Sequence, residues 1–167
     1  MRSTMSSVPA KFLLPMAHAF DIAVTTWGAL GAGVLSGKYK KGQPHPKGNR
    51  LTEVGSWGAN VLSDRNLTIA EVVQGIASDL GKTPSQIAIA WVLAQRARAN
   101  IVPILGARRL EQVNDNLAGL DVTLSPAHLA QLQEASRIQL GFPHDFLAEA
   151  RWLVFGETFP LIDNHRA

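Results

Sequence analysis

The chain has 167 residues, 46% apolar and 17% charged, a formal net charge of +3 and no cysteine. That balance suits one folded domain and argues against disorder. It excludes a disulfide framework, a thiolate nucleophile and a thiolate metal site, and fits a cytoplasmic setting.

The opening MRSTMSS lacks the apolar core of a signal peptide, and residues 1–9 are expected to lie outside the folded domain. Residues Phe12 to Phe20 read as a short helix, provided that Pro15 falls in its first turn. IAVTTW, 22–27, is β-branched and apolar without alternation, as in a strand buried on both faces. From Gly28 to Leu67 the chain is rich in glycine, proline and polar residues, and a loop of that length is usually functional or mobile. Thr68 and Glu71 then have the spacing of a capping box. Ile69, Val72, Val73, Ile76, Ala77 and Leu80 share one helical face that Gly81 ends.

Thr83, Pro84 and Gln86 start a second helix, whose body IAIAWVLAQ is apolar nearly all round and therefore expected to be buried. IVPIL, 101–105, is a second buried strand. Leu110, Val113 and Leu117 mark one face of a helix ending near Gly119, and Ser125 and Pro126 open another carried by Leu129 and Leu132. The tail from Ile138 onward is apolar and aromatic but aperiodic. Strand, helices, strand, helices is a βα alternation, which implies parallel strands and an α/β class. No repeat or linker divides the chain, so 1–167 is expected to be a single partial domain with a C-terminal tail over 138–167.

Ligands in such folds sit beyond the carboxyl ends of the strands. After IVPIL, Gly106 lets the chain turn sharply, and Ala107, Arg108 and Arg109 lead into a helix start. Free N–H groups and the positive dipole end favour an anion there, and guanidinium adds a fork suited to phosphate. Gln112 and Asn116 lie four apart, with Asp115 beside them, so one helix edge offers groups able to hydrogen-bond a heterocycle. The plainer reading is two arginines facing solvent. After IAVTTW comes GALGAGVLSGK, in which Gly28, Gly31, Gly33 and Gly37 either cradle a phosphate or merely loosen a loop. No Gly-Lys-Ser/Thr follows, so it is not a Walker loop.

The basic residues are scattered, without a Lys/Arg run flanked by stacking aromatics, so nucleic acid is not an expected partner. No run approaches the roughly 18 apolar residues of a membrane helix, and no membrane partner is expected either. The five histidines form no metal spacing such as HExxH, and there is no GxSxG elbow, so neither a metal site nor a serine hydrolase is expected.

TTWGALGAGVLSGKY, GKTPSQIAIAWVLAQ and VPILGARRLEQVNDN, in this order, resemble the C-terminal half of aldo-keto reductases. The likeness runs from about Phe12 through FPHDFL at 142–147. It implies the C-terminal portion of a TIM (β/α)8 barrel, incomplete, with about two parallel strands and several helices. It also implies an NADP(H)-binding part of an oxidoreductase that reduces small carbonyl substrates in the intact enzyme. By this resemblance Trp27 stacks on the nicotinamide ring, while Gly28, Leu30, Gly31, Gly33, Leu35 and Lys38 line the pyrophosphate. Gly106, Ala107, Arg108 and Arg109 hold the 2′-phosphate and adenosine, and Gln112, Asp115 and Asn116 contact adenine and ribose. Gly28 and Ala29 stand where related chains often have Ser-Pro, and Asp115 where glutamate is common.

The family's catalytic aspartate, tyrosine, lysine and histidine come from the first half of the barrel, so no catalytic residue is expected in this chain. Its one tyrosine, Tyr39, matches a structural position of the SGKY motif. The isolated chain is accordingly expected to be inactive, and to self-associate or to need an N-terminal half. Phe142, Phe146, Trp152 and Phe155 of the tail are expected either at the substrate side or as an apolar cap. The alternative function is a non-catalytic nucleotide-binding or protein-interaction module derived from that family.

Overall fold

The two β-branched runs become strands β1 (Val24–Trp27) and β2 (Ile101–Ile104), paired in parallel with Val24 beside Ile101 and Trp27 beside Ile104. The computed structural model describes residues 7–44, 48, 51, 60–138 and 141–162. They fall into two units, Met1–Arg137 and Ile138–Ala167. Because the strands are parallel and in register, the loops after Trp27 and after Ile104 leave the same edge of the sheet. Pro103 costs one ladder donor, which a strand at a sheet edge tolerates.

Helix α1 covers Ser7–Ala19, starting earlier than expected, and Pro15 lies in its interior rather than in the first turn. An interior proline costs a helix roughly 3 kcal/mol. Burial of Leu14 and Ala17 on either side opposes that cost, so packing overrides the local rule.

Helix α2 (Asp64–Leu80) also departs from expectation. Its N-cap is Ser63, whose Oγ accepts from the Asn66 N–H at 3.4 Å. Thr68 instead donates to the Asp64 carbonyl at 3.0 Å, one turn back, so the Thr68–Glu71 capping box does not form. The extra turn buries Leu67. Gly81, left-handed at φ 60°, ends α2 as its sequence required.

Helix α3 (Pro84–Leu93) starts as expected: the Gln86 N–H donates to Thr83 Oγ1 and the Thr83 N–H to Gln86 Oε1, both at 3.2 Å. Helices α4 (Leu110–Ala118) and α5 (Pro126–Ala135) follow, the latter capped by Ser125. Arg65 ties α2 to the end of α5 by donating to the Ser136 carbonyl at 2.7 Å.

One core joins the turn at Gly31–Ser36, α2, α3 and α5 through Val34, Leu35, Ile69, Val73, Ile87 and Leu132. A second packs Leu14 and Ala17 of α1 and Val92 of α3 against Ile101. This second core covers only one face of the sheet. On the other, Trp27, Val102 and Ile104 are about half exposed, so the expectation of strands buried on both faces is corrected. Among the described residues of the first unit, none buries that face. The apolar stripe of α4, Leu110, Val113 and Leu117, is likewise exposed.

In the second unit the tail forms helix α6 (His144–Phe155) and a 3-10 turn over Gly156–Leu161, where the sequence showed no period. Asp145 starts it by accepting from the Gly141 N–H at 2.9 Å.

Candidate functional site

Two loops leave the shared edge of the sheet. In the first, Trp27 ends β1 with 52% of its surface exposed, and Gly28 turns the chain at φ 79°. Gly31, Ala32 and Gly33 all have positive φ. The Gly31 N–H donates to the Gly28 carbonyl at 2.8 Å and the Gly33 N–H to Leu30 at 2.9 Å. These amides therefore fasten the turn to itself. At Gly33, φ 94°, a Cβ would lie 3.1 Å from both Cε and Nζ of Lys38, whose side chain folds back over the bare backbone. The same ammonium is 5.1 Å from the centre of the Tyr39 ring. Leu30 is half-buried against the core, and the Leu35 side chain lies fully within it.

In the second loop Gly106, Ala107, Arg108 and Arg109 are all exposed. Gln112, one turn into α4, reaches back so that its Oε1 accepts from the Arg108 N–H at 2.8 Å and the Arg109 N–H at 3.3 Å. This satisfies two main-chain donors at the start of the helix and fixes the turn that carries both guanidinium groups. Asp115 accepts from Thr83 Oγ1 at 2.8 and 3.1 Å and from Gln86 Nε2 at 2.9 Å, and Asn116 is buried. The link from Asp115 to the start of α3 had no signal in the sequence, because its partners lie 29 and 32 residues away.

Both loops carry cations, Lys38 on the first and Arg108 and Arg109 on the second. The Lys38 pKa is held below the ordinary lysine value, first by burial and then by the Arg108 guanidinium. Among the described residues no carboxylate lies within ion-pair distance of Lys38, Arg108 or Arg109; the ion pair present, Arg137–Glu134, is elsewhere. Cations from both loops thus stand beyond the carboxyl ends of the paired strands with no such carboxylate among the described residues, which suits an anion. The chemistry of these cations suits a phosphorylated dinucleotide, and at Gly33 the missing side chain leaves room for the Lys38 ammonium. Burial pushes the Tyr39 phenol pKa up, and its ring is part of the core. No group of three or more His, Asp or Glu able to hold a metal occurs among the described residues. No helix among them is long and apolar enough to cross a membrane.

Comparison with known proteins bears on what this edge is for. A probable aryl-alcohol dehydrogenase of Saccharomyces cerevisiae, AAD4, is 27% identical over 137 residues, covering 82% of this chain and 41% of that protein. An aldo-keto reductase of Schizosaccharomyces pombe, yakc, whose name carries NADP(+), is 30% identical over 115 residues, covering 69% of this chain and 33% of its own. Among solved structures, a glycerol dehydrogenase from Gluconobacter oxydans matches with a TM-score of 0.61 and 22% identity, over 80% of this chain and 42% of that one. The chain thus spans less than half the length of each of these relatives. The fold is part of a TIM barrel, two parallel strands with their helices. The Aldo/keto reductase family model matches residues 2–137, and the chain belongs to that family.

Proposed function

We propose that this chain is the NADP(H)-binding part of an aldo-keto reductase, and that the catalytic aspartate, tyrosine, lysine and histidine lie outside it. The observation that carries the reading is the placing of cations on both strand-end loops: Lys38 folded over Gly33 after β1, and the exposed Arg108 and Arg109 after β2, with no carboxylate within ion-pair distance of them among the described residues. Dinucleotide phosphates are the anions that such an edge of an α/β fold is suited to hold. In this reading Arg108 and Arg109 engage the 2′-phosphate, helped by Gly106 and Ala107, whose small size leaves their backbone open. Lys38 and the turn through Gly28, Leu30, Gly31 and Gly33 border the pyrophosphate. Leu35 contributes through main chain and by anchoring that turn, because its side chain is in the core. Trp27 offers its exposed ring to the nicotinamide, and the α4 residues Gln112, Asp115 and Asn116 stand at the adenosine end.

When bound, the cofactor supplies the hydride that reduces a carbonyl carbon in the intact enzyme. This chain's residues bind and orient it. The test is a titration with NADPH and with NADH, followed by addition of a reactive aldehyde while absorbance is recorded. Tighter binding of NADPH without turnover is expected. Absence of NADPH binding would remove the reading, and turnover that survives Tyr39→Phe would contradict the placing of the catalytic groups elsewhere.

A further inference from the structure

We propose that Asp115 is a positioning residue: it fastens α4 to the start of α3, so that Gln112 holds the Arg108–Arg109 turn in place. What that turn binds is taken from the cofactor reading above. The carboxylate is already engaged. Thr83 Oγ1 donates to both of its oxygens, at 2.8 and 3.1 Å, and Gln86 Nε2 to one, at 2.9 Å. The Thr83 hydroxyl shares its one proton between the two oxygens, so two protein donors hold the carboxylate.

The donors are tied down too. Thr83 and Gln86 form the capping box of α3, each spending a side-chain oxygen on the other's N–H, and the donors left over converge on Asp115. A carboxylate beside a helix N-terminus is also favoured by the helix dipole. Asp115 stands one turn after Gln112, so both project from the same side of α4. The resulting chain of contacts runs from the α3 cap through Asp115 and α4 to Gln112, and from Gln112 Oε1 to the amides of Arg108 and Arg109. Both guanidinium groups branch from the two residues at its end. A ribose or adenine reaching Asp115 would compete with Thr83 and Gln86 for its oxygens.

The experiment has one arm without ligand and one with. In the free chain, amide hydrogen exchange at Arg108 is followed by NMR in wild type, Gln112→Leu and Asp115→Ala. Each substitution is expected to speed it about three- to tenfold, the loss of roughly one hydrogen bond. Unchanged exchange in Asp115→Ala would overturn the proposal. In the second arm, affinity for adenosine 2′,5′-bisphosphate is measured for Thr83→Ala, Asp115→Ala and the double variant. The double variant is expected to bind about as weakly as the weaker single one, and Thr83→Ser, which keeps the hydroxyl, to bind like wild type. Losses that multiply would mean that the carboxylate meets the ligand itself, and would overturn the proposal. Asp115→Asn, which keeps the shape of the side chain, replaces Asp115→Ala in both arms if the latter fails to fold. If wild type binds no bisphosphate, the cofactor reading falls, while the exchange arm still decides the role of Asp115.

Discussion

Replacing Arg108 and Arg109 together by alanine removes both guanidinium groups and leaves the turn that carries them. The bonds from Gln112 go to main-chain N–H groups, which alanine retains, so the loop keeps its shape and only charge is lost. A hydrogen bond to a charged group contributes roughly 1.5–3 kcal/mol. Both side chains are exposed, so the low end applies. The pair then contributes about 3 kcal/mol towards a 2′-phosphate, or about two decades in Kd for NADPH. NADH lacks that phosphate. What it loses is a long-range attraction to its pyrophosphate, screened over about 10 Å at 0.1 M salt, for which a change under about threefold is expected. Calorimetric titration of both cofactors into both proteins at 0.1 M salt reads the ratio directly. Equal losses for NADPH and NADH would refute the assignment of these arginines.

Three further outcomes follow from particular contacts. Gly119→Ala places a Cβ 3.1 Å from the Ile89 Cβ and 3.2 Å from Cα and O of Gln86, where main chain cannot yield, so a loss of about 1–3 kcal/mol is expected. That is at least about 2 °C in Tm for a chain of this size, and an unchanged melt would count against the packing of the 3-10 turn Gly119–Asp121 on α3. Ser63→Ala should cost about 1 kcal/mol as a lost N-cap, whereas Thr68→Val should stay within about 0.5 kcal/mol, both read by denaturant titration. The raised pKa of Tyr39 means that above pH 10 the unfolded chain loses its phenolic proton first, so stability falls as pH rises from there. Tyr39→Phe should remove that component, and an alkaline limb identical to wild type would contradict it; Lys38, with its lowered pKa, contributes in the opposite sense in both proteins.

The strands, α3 and the start of α5 were legible in the sequence because their signals are local: β-branched runs, Thr-Pro-x-Gln, Ser-Pro. Where two local signals competed, tertiary packing chose between them. Ser63 won over Thr68 because an earlier start buries Leu67, and α1 runs through Pro15 because Leu14 and Ala17 reach the core. The apolar composition of IAVTTW and IVPIL correctly gave strands but overstated their cover, since composition reports what a surface can bury and not what is there to bury it. The site divides the same way. Its glycine turn and arginine pair are written in consecutive residues, whereas the hold of Thr83 and Gln86 on Asp115 spans about thirty positions. Contacts over such distances leave no periodicity, so only the assembled chain displays them.

If the exposed face of the sheet is where two copies meet, the behaviour of this chain becomes a matter of dilution. Trp27, Val102 and Ile104 present a greasy ribbon flanked by strand edges that no other strand among the described residues pairs, the arrangement on which polypeptides zip together. Sedimentation across a hundredfold span of protein should therefore reveal species that grow heavier with loading. A single light species throughout would mean that the ribbon is sheathed in solution.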